Sequence, residues 1–361
     1  MKRILALLFA LSLLLCACKA KEPEYPPIPK DTEATTAPTE ANTEPTEATE
    51  PTDPAVIRNP LNGTRLETPY TGRPTAVVLS NDSDAMPQHG LSQADFVFEA
   101  VVEGGITRLL VVFSDIGSVE GKIGPVRSAR SFFNSVSRSF NAPIVHCGGS
   151  KWGINGFIDE NTQLKDWAHI NEQNNASYFY RDPDRSGYDS WLTLFTTGEK
   201  LQKGMTDKGY VSETPPDYGF QFDENVVLEG DTANKIVVNF KGSKTTTMTY
   251  SAETGLYSAQ QHKQDHIDGN TKKALTYKNV ICLYTEHRGV QGDTYVHSFY
   301  TLIGEGTGHF ATGGKIIPIK WSRADVNAPF SFTLEDGTPI TLGVGSTYVG
   351  ICSDTVSADY E

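Results

Sequence analysis

Asp95-Phe96-Val97-Phe98-Glu99-Ala100-Val101-Val102-Glu103-Gly104-Gly105-Ile106-Thr107-Arg108-Leu109-Leu110-Val111-Val112-Phe113 is the stretch on which the fold turns. Two runs rich in β-branched and aromatic residues flank a Gly-Gly pair, the pattern of a β-hairpin. Alternation along a strand puts Glu99, Val101 and Glu103 on one face. A two-residue turn at Gly104-Gly105 then sets Arg108 opposite Val101, diagonal to both glutamates. The three charges read as a cross-strand ion pair supporting the sheet or as one wall of a charged site.

Upstream of the hairpin, Asn62-Gly63 is a turn signal, and Thr75-Ala76-Val77-Val78-Leu79-Ser80 reads as a buried strand. Downstream, Gly124-Pro125 looks like a helix start, and Val126, Ala129, Phe133, Val136 and Phe140 keep helical spacing, which predicts a helix to about Phe140. Arg127 and Arg130 then share its first turn, beside the positive end of the helix dipole, where cations are unfavourable. Something anionic must compensate them: a bound external anion, or Glu99 or Glu103 of the hairpin. Pro143 to Ser150 reads as a strand ending in a glycine turn, with His146 and Ser150 at the end where open α/β sheets gather ligands. Cys147 neighbours His146, but on the opposite strand face, which argues against a catalytic pair.

From about Ala233 the pattern is β throughout: Lys235 to Phe240, Asn279 to Thr285 and Thr294 to Ile303 read as strands, and Glu335-Asp336-Gly337-Thr338 as a hairpin turn. Gly304-Glu305-Gly306-Thr307-Gly308 and Gly313-Gly314-Lys315 lack the Gly-Lys-Ser/Thr of a phosphate loop and read as turns between strands. His262, Asp265, His266 and Asp268 have metal-compatible side chains but no helical stripe to align them, so loop hydrogen bonds are expected and no metal. Cys147, Cys282 and Cys352 are too few and too scattered for a disulfide framework, although one bridge between Cys282 and Cys352 stays open. The expected fold class is an α/β or α+β region with a mixed sheet over 57–232, followed by a mainly β region over 233–361.

The chain has 361 residues and a formal charge of −13. It begins with Lys2-Arg3 and an unbroken apolar run from Ile4 to Leu15, too short to span a bilayer and the right length for a signal-peptide core. The run closes on Leu15-Cys16-Ala17-Cys18, a lipobox that predicts a signal peptide over 1–18 and lipidation of Cys18, with diacylglyceryl and palmitate-type chains as a membrane anchor. Cys16 is unusual at its position and cannot be the modified residue, since Leu15 would fill a place reserved for small side chains. Residues 19–56 repeat Thr-Glu-Ala and Thr-Glu-Pro without an apolar period and read as a disordered tether, reaching roughly 35 Å as a coil. Nine acids against three lysines put about half of the net charge there. No basic footprint for nucleic acid exists.

Gly90-Leu91-Ser92-Gln93-Ala94-Asp95, Glu103-Gly104-Gly105-Ile106-Thr107-Arg108, Gly124-Pro125-Val126-Arg127-Ser128-Ala129-Arg130 and His146-Cys147-Gly148-Gly149-Ser150, in this order, resemble the YerB-like lipoproteins, built on a domain of unknown function. The resemblance covers most of the mature chain, implies N- and C-terminal domains and an extracytoplasmic location, and brings no catalytic activity with it. His266-Ile267-Asp268 also fits the family. A histidine segment that the family carries after Tyr180-Arg181-Asp182 is replaced here by Tyr188-Asp189-Ser190-Trp191-Leu192, which puts histidine-dependent chemistry at that wall in doubt.

The function expected from these features is that of a lipid-anchored binding or assembly protein on the outer face of the bacterial cell membrane. Arg108, Arg127 and Arg130, with Glu99, Glu103, His146 and Ser150, would form a site for an anionic wall polymer or lipid-linked precursor. The alternative is an enzyme acting on phosphorylated wall precursors, with Glu99 or Glu103 as its base. A transporter's solute receptor fits less well, because the chain finishes one region before starting the next. No cofactor is expected, and the membrane is the one partner implied directly.

Overall fold

Three strands come first among the described residues: β1 (Thr75–Asn81), β2 (Phe96–Val101) and β3 (Thr107–Phe113). The computed structural model describes residues 56–149, 167–211, 216–240, 244–289, 298–354 and 357–361. The signal peptide, Cys18, nearly all of the tether and Ser150 therefore lie outside the described residues.

The hairpin exists, but its register corrects the expectation. Val101 pairs with Thr107 and Ala100 with Arg108. The chain turns through Glu103, Gly104 and Gly105, closed by Val102 N–H donating to the Ile106 carbonyl at 2.8 Å, and both glycines take positive φ. The loop holds three residues, one more than the two-residue turn expected, and this shifts β3 by one position against β2. A slip of one residue exchanges the faces of a strand, so Arg108 points away from Glu99 to the other side of the sheet.

The helix also starts later than its Gly-Pro signal. α1 is Ser131–Ser139, and Arg130, extended at φ −128° and ψ 155°, is its N-cap. The segment before it is strand-like: Val126 N–H donates to the Leu194 carbonyl at 2.8 Å, Arg127 N–H to Val78 at 2.8 Å, and Cys147 N–H to Arg127 at 3.0 Å. Donors that a helix would leave open in its first turn find acceptors on flanking chains, and that satisfaction overrides the local signal. Neither Arg127 nor Arg130 sits inside a helical turn.

β4 (Ile144–His146) and β5 (His169–Asn171) extend the sheet in parallel beyond β1, and α2 is Gly198–Asp207. A second sheet follows, with β6 (Lys235–Asn239), β7 (Thr245–Ser251) and β8 (Leu256–Gln261) at its centre. The chain then returns to the first sheet with β9 (Asn279–Thr285), β10 (Gly304–Thr312), β11 (Lys315–Arg323) and β12 (Thr347–Ser353). Of the strand expected over 294–303, Ser298–Tyr300 is formed, and residues 290–297 lie outside the described residues. The order across this mixed, eleven-stranded sheet is β11-β10-β9-β12-β2-β3-β1-β4-β5, with Asp231–Thr232 and Ser331–Thr333 also pairing with β11. β12, near the end of the chain, runs parallel to both neighbours and joins β9 to β2. The two sequence regions thus share one sheet, and residues 54–361 form one compact unit.

Both faces of the sheet are covered, which explains its nearly continuous apolar strands. On one face Phe96, Phe98, Leu110 and Val112 pack under Phe132, Phe133, Val136 and Phe140 of the α1 segment. On the other, Val97, Val111, Val280 and Tyr348 meet Ile236, Val238, Met248 and Tyr257 of the second sheet. Gly304–Gly308 is the first half of β10 and not a turn. A Cβ at Gly306 would stand 2.5 Å from the Trp321 ring, and one at Gly308 2.4 Å from the Cys282 carbonyl, so close packing explains these glycines. Gly313-Gly314 forms the turn to β11, and the turn at Glu335–Thr338 is formed as expected, with Leu334 N–H donating to Thr338 at 2.8 Å. Cys282 and Cys352 are buried free thiols.

Candidate functional site

Glu103, carried past the end of β2 into the turn, is where the charges meet. Arg130 donates from Nε to Glu103 Oε2 at 2.8 Å and from Nη2 to Oε1. Arg108 reaches Glu103 Oε1 from Nη2 at 3.5 Å and donates from Nη1 to the Ser128 carbonyl at 2.8 Å. Both arginines are nearly inaccessible. Internal pairing with Glu103, one of the two compensations expected from the sequence, therefore accounts for Arg108 and Arg130.

Arg127 is different. It is half-buried, and its guanidinium makes no hydrogen bond or ion pair with any described residue. Burial lowers its pKa, against a weaker opposing pull from Cys147 and Asp82. Burial, with the Arg127 charge behind it, also pushes the Arg108 guanidinium down to about 9. Two like charges are thus held near each other with one carboxylate, Glu103, already engaged by Arg130.

Backbone geometry fixes this place in the fold. The Arg127–Ala129 segment lies between the carboxyl ends of β1 and β4, and the Gly148 carbonyl accepts from Ala129 N–H at 3.1 Å. Gly148 N–H donates to Asn171 Oδ1 at 2.9 Å. This is the end of a parallel pair, where α/β sheets place ligands.

Glu99 does not belong to the site. Its carboxylate is fully buried on the opposite face and accepts from Asn81 Nδ2 at 2.8 Å, Thr107 Oγ1 at 2.6 Å, Thr246 Oγ1 and Tyr348 OH at 2.7 Å, and Gln261 Nε2 at 3.2 Å. Lys244 Nζ lies 3.5 Å away. Burial raises the Glu99 pKa, but Lys244 and the hydroxyl donors outweigh it and hold the carboxyl below its ordinary value. It fastens the second sheet to the first. With Glu99 across the sheet and Glu103 clamped, neither carboxylate is free to act as a base beside Arg127.

His146 is buried at the end of β4 and touches none of the arginines. Its Nδ1 donates to the Gly148 carbonyl at 2.6 Å, Nε2 has no hydrogen-bond partner among the described residues, and burial pushes its pKa down to about 4, so it is neutral at pH 7. Cys147 Sγ–H donates to Glu172 Oε2 at 3.3 Å. Burial and Glu172 push this thiol up to about 11 against Arg181 and Arg127, which leaves it protonated and unreactive. Arg181 and Glu172 are neighbours of the site that sequence reasoning passed over. The Tyr180-Arg181-Asp182 motif was the available pointer, and nothing in sequence linked it to residue 127.

The His262, Asp265, His266 and Asp268 cluster holds loops. His266 Nε2 donates to Gln88 Oε1 at 2.8 Å, His262 Nε2 lies 3.3 Å from the Asn81 carbonyl, Asp265 accepts from Gln260, and Asp268 from Ser92 N–H. Cavities of about 410 Å³ beside Tyr70 and Arg73, and of about 600 Å³ beside Tyr284 and Glu286, are not lined by Arg108, Arg127 or Arg130.

Two family models match in order: the N-terminal domain of Protein of unknown function (DUF3048) over residues 61–211 and the DUF3048 C-terminal domain over 236–349. A curated protein of Bacillus subtilis (strain 168), "Putative lipoprotein YerB", is 26% identical over 308 residues, which are 84% of this chain and 88% of that one. A solved structure, the crystal structure of YerB protein from Bacillus subtilis, matches with a TM-score of 0.70 at 26% identity and covers 84% of this chain and 99% of its own. That likeness takes in the mixed sheet and its mainly β continuation. Matched by both domain models across 61–349 and similar to YerB in sequence and fold, the chain belongs to the DUF3048 family of YerB-like proteins.

Proposed function

We propose that this protein is a lipid-anchored component of the extracytoplasmic face of the bacterial membrane, and that it binds an anionic envelope group through Arg127. One observation carries the binding reading. Arg108 and Arg130 are paired with Glu103, whereas the half-buried Arg127 has no partner among the described residues. Partial burial of an unpaired guanidinium costs free energy, and a phosphate or carboxylate on its forked donors offsets that cost. A phosphate of a wall polymer or of a lipid-linked precursor has this chemistry. Leu15-Cys16-Ala17-Cys18 and the name of the Bacillus relative support the anchor.

The test is a calorimetric titration of the folded protein with inorganic phosphate, beside Arg127→Ala. Wild type binds, the variant binds at least about tenfold more weakly because a charge-assisted contact is lost, and the variant's melting temperature is equal or higher. Absence of phosphate binding, or equal binding by both proteins, overturns the site. For the anchor, Cys18→Ser moves the protein from the membrane to the soluble fraction, and its retention on membranes overturns that half.

A further inference from the structure

A loop hydrogen-bonded to the Arg127 segment carries two exposed aromatic rings. Trp191 is 50% exposed and Tyr188 48%, the two most exposed aromatic side chains among the described residues. Isolated exposed apolar side chains are ordinary, but two large rings three residues apart beside cationic groups form a patch. Both stand on a loop built for them. Arg181 Nη1 donates to the Ser190 carbonyl at 2.5 Å, and the buried Arg185 lies under the Tyr188 ring, its guanidinium carbon 5.2 Å from the centroid. Arg185 Nη2 is held by the Ala85 carbonyl at 2.8 Å, so one face of Tyr188 is backed and the other faces solvent.

This loop is tied to the Arg127 segment. Val126 N–H donates to the Leu194 carbonyl, three residues beyond Trp191. Arg181 pairs in register with Leu194, whose carbonyl accepts Val126 N–H, and donates to Ser190 beside Trp191, so its strand connects the aromatic loop to the Arg127 segment. Of the carboxylates around this surface, Glu172 is occupied as the acceptor of the Cys147 thiol, Asp182 is paired with Lys122, and Asp82 and Asp189 border the site.

We propose that the Arg127 site takes a glycosyl phosphate, with the phosphate oxygens on Arg127 and Arg181 and the apolar face of the sugar ring laid on Trp191. This rests on the anion-binding reading above and names its substrate class. A pyranose presents C–H groups on one face and hydroxyls at its rim, so a flat indole next to a guanidinium distinguishes a sugar phosphate from phosphate alone. The steps are binding only.

The experiment compares glucose 1-phosphate, N-acetylglucosamine 1-phosphate, inorganic phosphate and free glucose by calorimetry on wild type, Trp191→Ala, Trp191→Tyr and Arg127→Ala. At least one sugar phosphate is expected to bind roughly five- to tenfold more tightly than inorganic phosphate, the gain from covering about 50 Å² of apolar surface. Trp191→Ala removes that gain and leaves phosphate binding and the melting temperature unchanged, Trp191→Tyr restores part of it, and Arg127→Ala weakens every anion. If phosphate binds through Arg127 but neither sugar phosphate binds more tightly, or Trp191→Ala changes nothing, this inference is overturned and the anion site stands. If no anion binds, the site itself falls and this inference with it. Cosedimentation with phosphatidylglycerol vesicles provides the last arm: if Trp191→Ala abolishes vesicle binding while sugar-phosphate affinity is untouched, the platform serves a membrane surface and the glycosyl assignment is wrong.

Discussion

Replacing Glu99 by Gln should destabilise the protein by about 3 kcal/mol, the low end for breaking a buried ion pair. Gln keeps the volume and one acceptor oxygen, so the main loss is the charge facing Lys244, whose side chain is 7% exposed and 3.5 Å from the carboxylate. Without Glu99 the Lys244 ammonium is buried with Gln261 Oε1, at 2.6 Å, as its one hydrogen-bond partner among the described residues. For a chain of this size, 3 kcal/mol corresponds to a fall in melting temperature of roughly 6–12 °C. Urea denaturation followed by circular dichroism measures the loss directly, and the double variant with Lys244→Met should recover much of it, because the stranded charge is then gone. The pH dependence has a definite sign. The folded carboxyl lies below its unfolded value, so its contribution is complete above about pH 4.3 and fades as the pH falls through the lower folded value. The gap between wild type and Glu99→Gln should therefore be full at pH 7 and narrow below pH ~4. A fall of less than about 2 °C, or a double variant whose losses simply add, would refute the account of Glu99 as a charged hub.

Two further outcomes follow from buried groups. His266 is buried and neutral, its pKa pushed down to about 4 chiefly by burial. Its stabilising contribution is present above the unfolded value near 6.5 and is lost as the pH falls toward 4, a total of about 3 kcal/mol. Melting temperatures recorded from pH 7 to 4 should decline, and His266→Gln should flatten that slope; an unchanged slope would count against the assignment. Gly308→Ala should cost about 1–3 kcal/mol by overpacking, since its Cβ would press on the Cys282 carbonyl 2.4 Å away in the neighbouring strand. Gly313→Ala, where a Cβ meets nothing within 4 Å, separates that clash from the strain of a positive φ.

The sequence by itself determined the elements whose evidence is local. Alternation and the Gly-Gly pair identify the hairpin, the spacing of Phe133, Val136 and Phe140 marks the buried face of α1, and Asp336-Gly337 marks its turn, because each pattern is carried by residues that are neighbours in the chain. The four motifs that match the family also identified three of the charges that meet, Glu103, Arg108 and Arg130. Tertiary structure decided which charges face each other. One residue of register moved Arg108 from the side of Glu99 to that of Glu103, and strand pairing of 124–129 with β1 and β4 displaced the helix start by six residues, from Pro125 to Ser131. Glu99 meets Lys244, Thr246, Gln261 and Tyr348 only because β12 returns from the end of the chain to lie beside β2, and the second sheet then closes over that face. Local propensity can propose a strand or a helix. The partner of a buried charge depends on pairings between segments more than a hundred residues apart, where satisfying every backbone and side-chain donor selects one register out of several that the pattern allows.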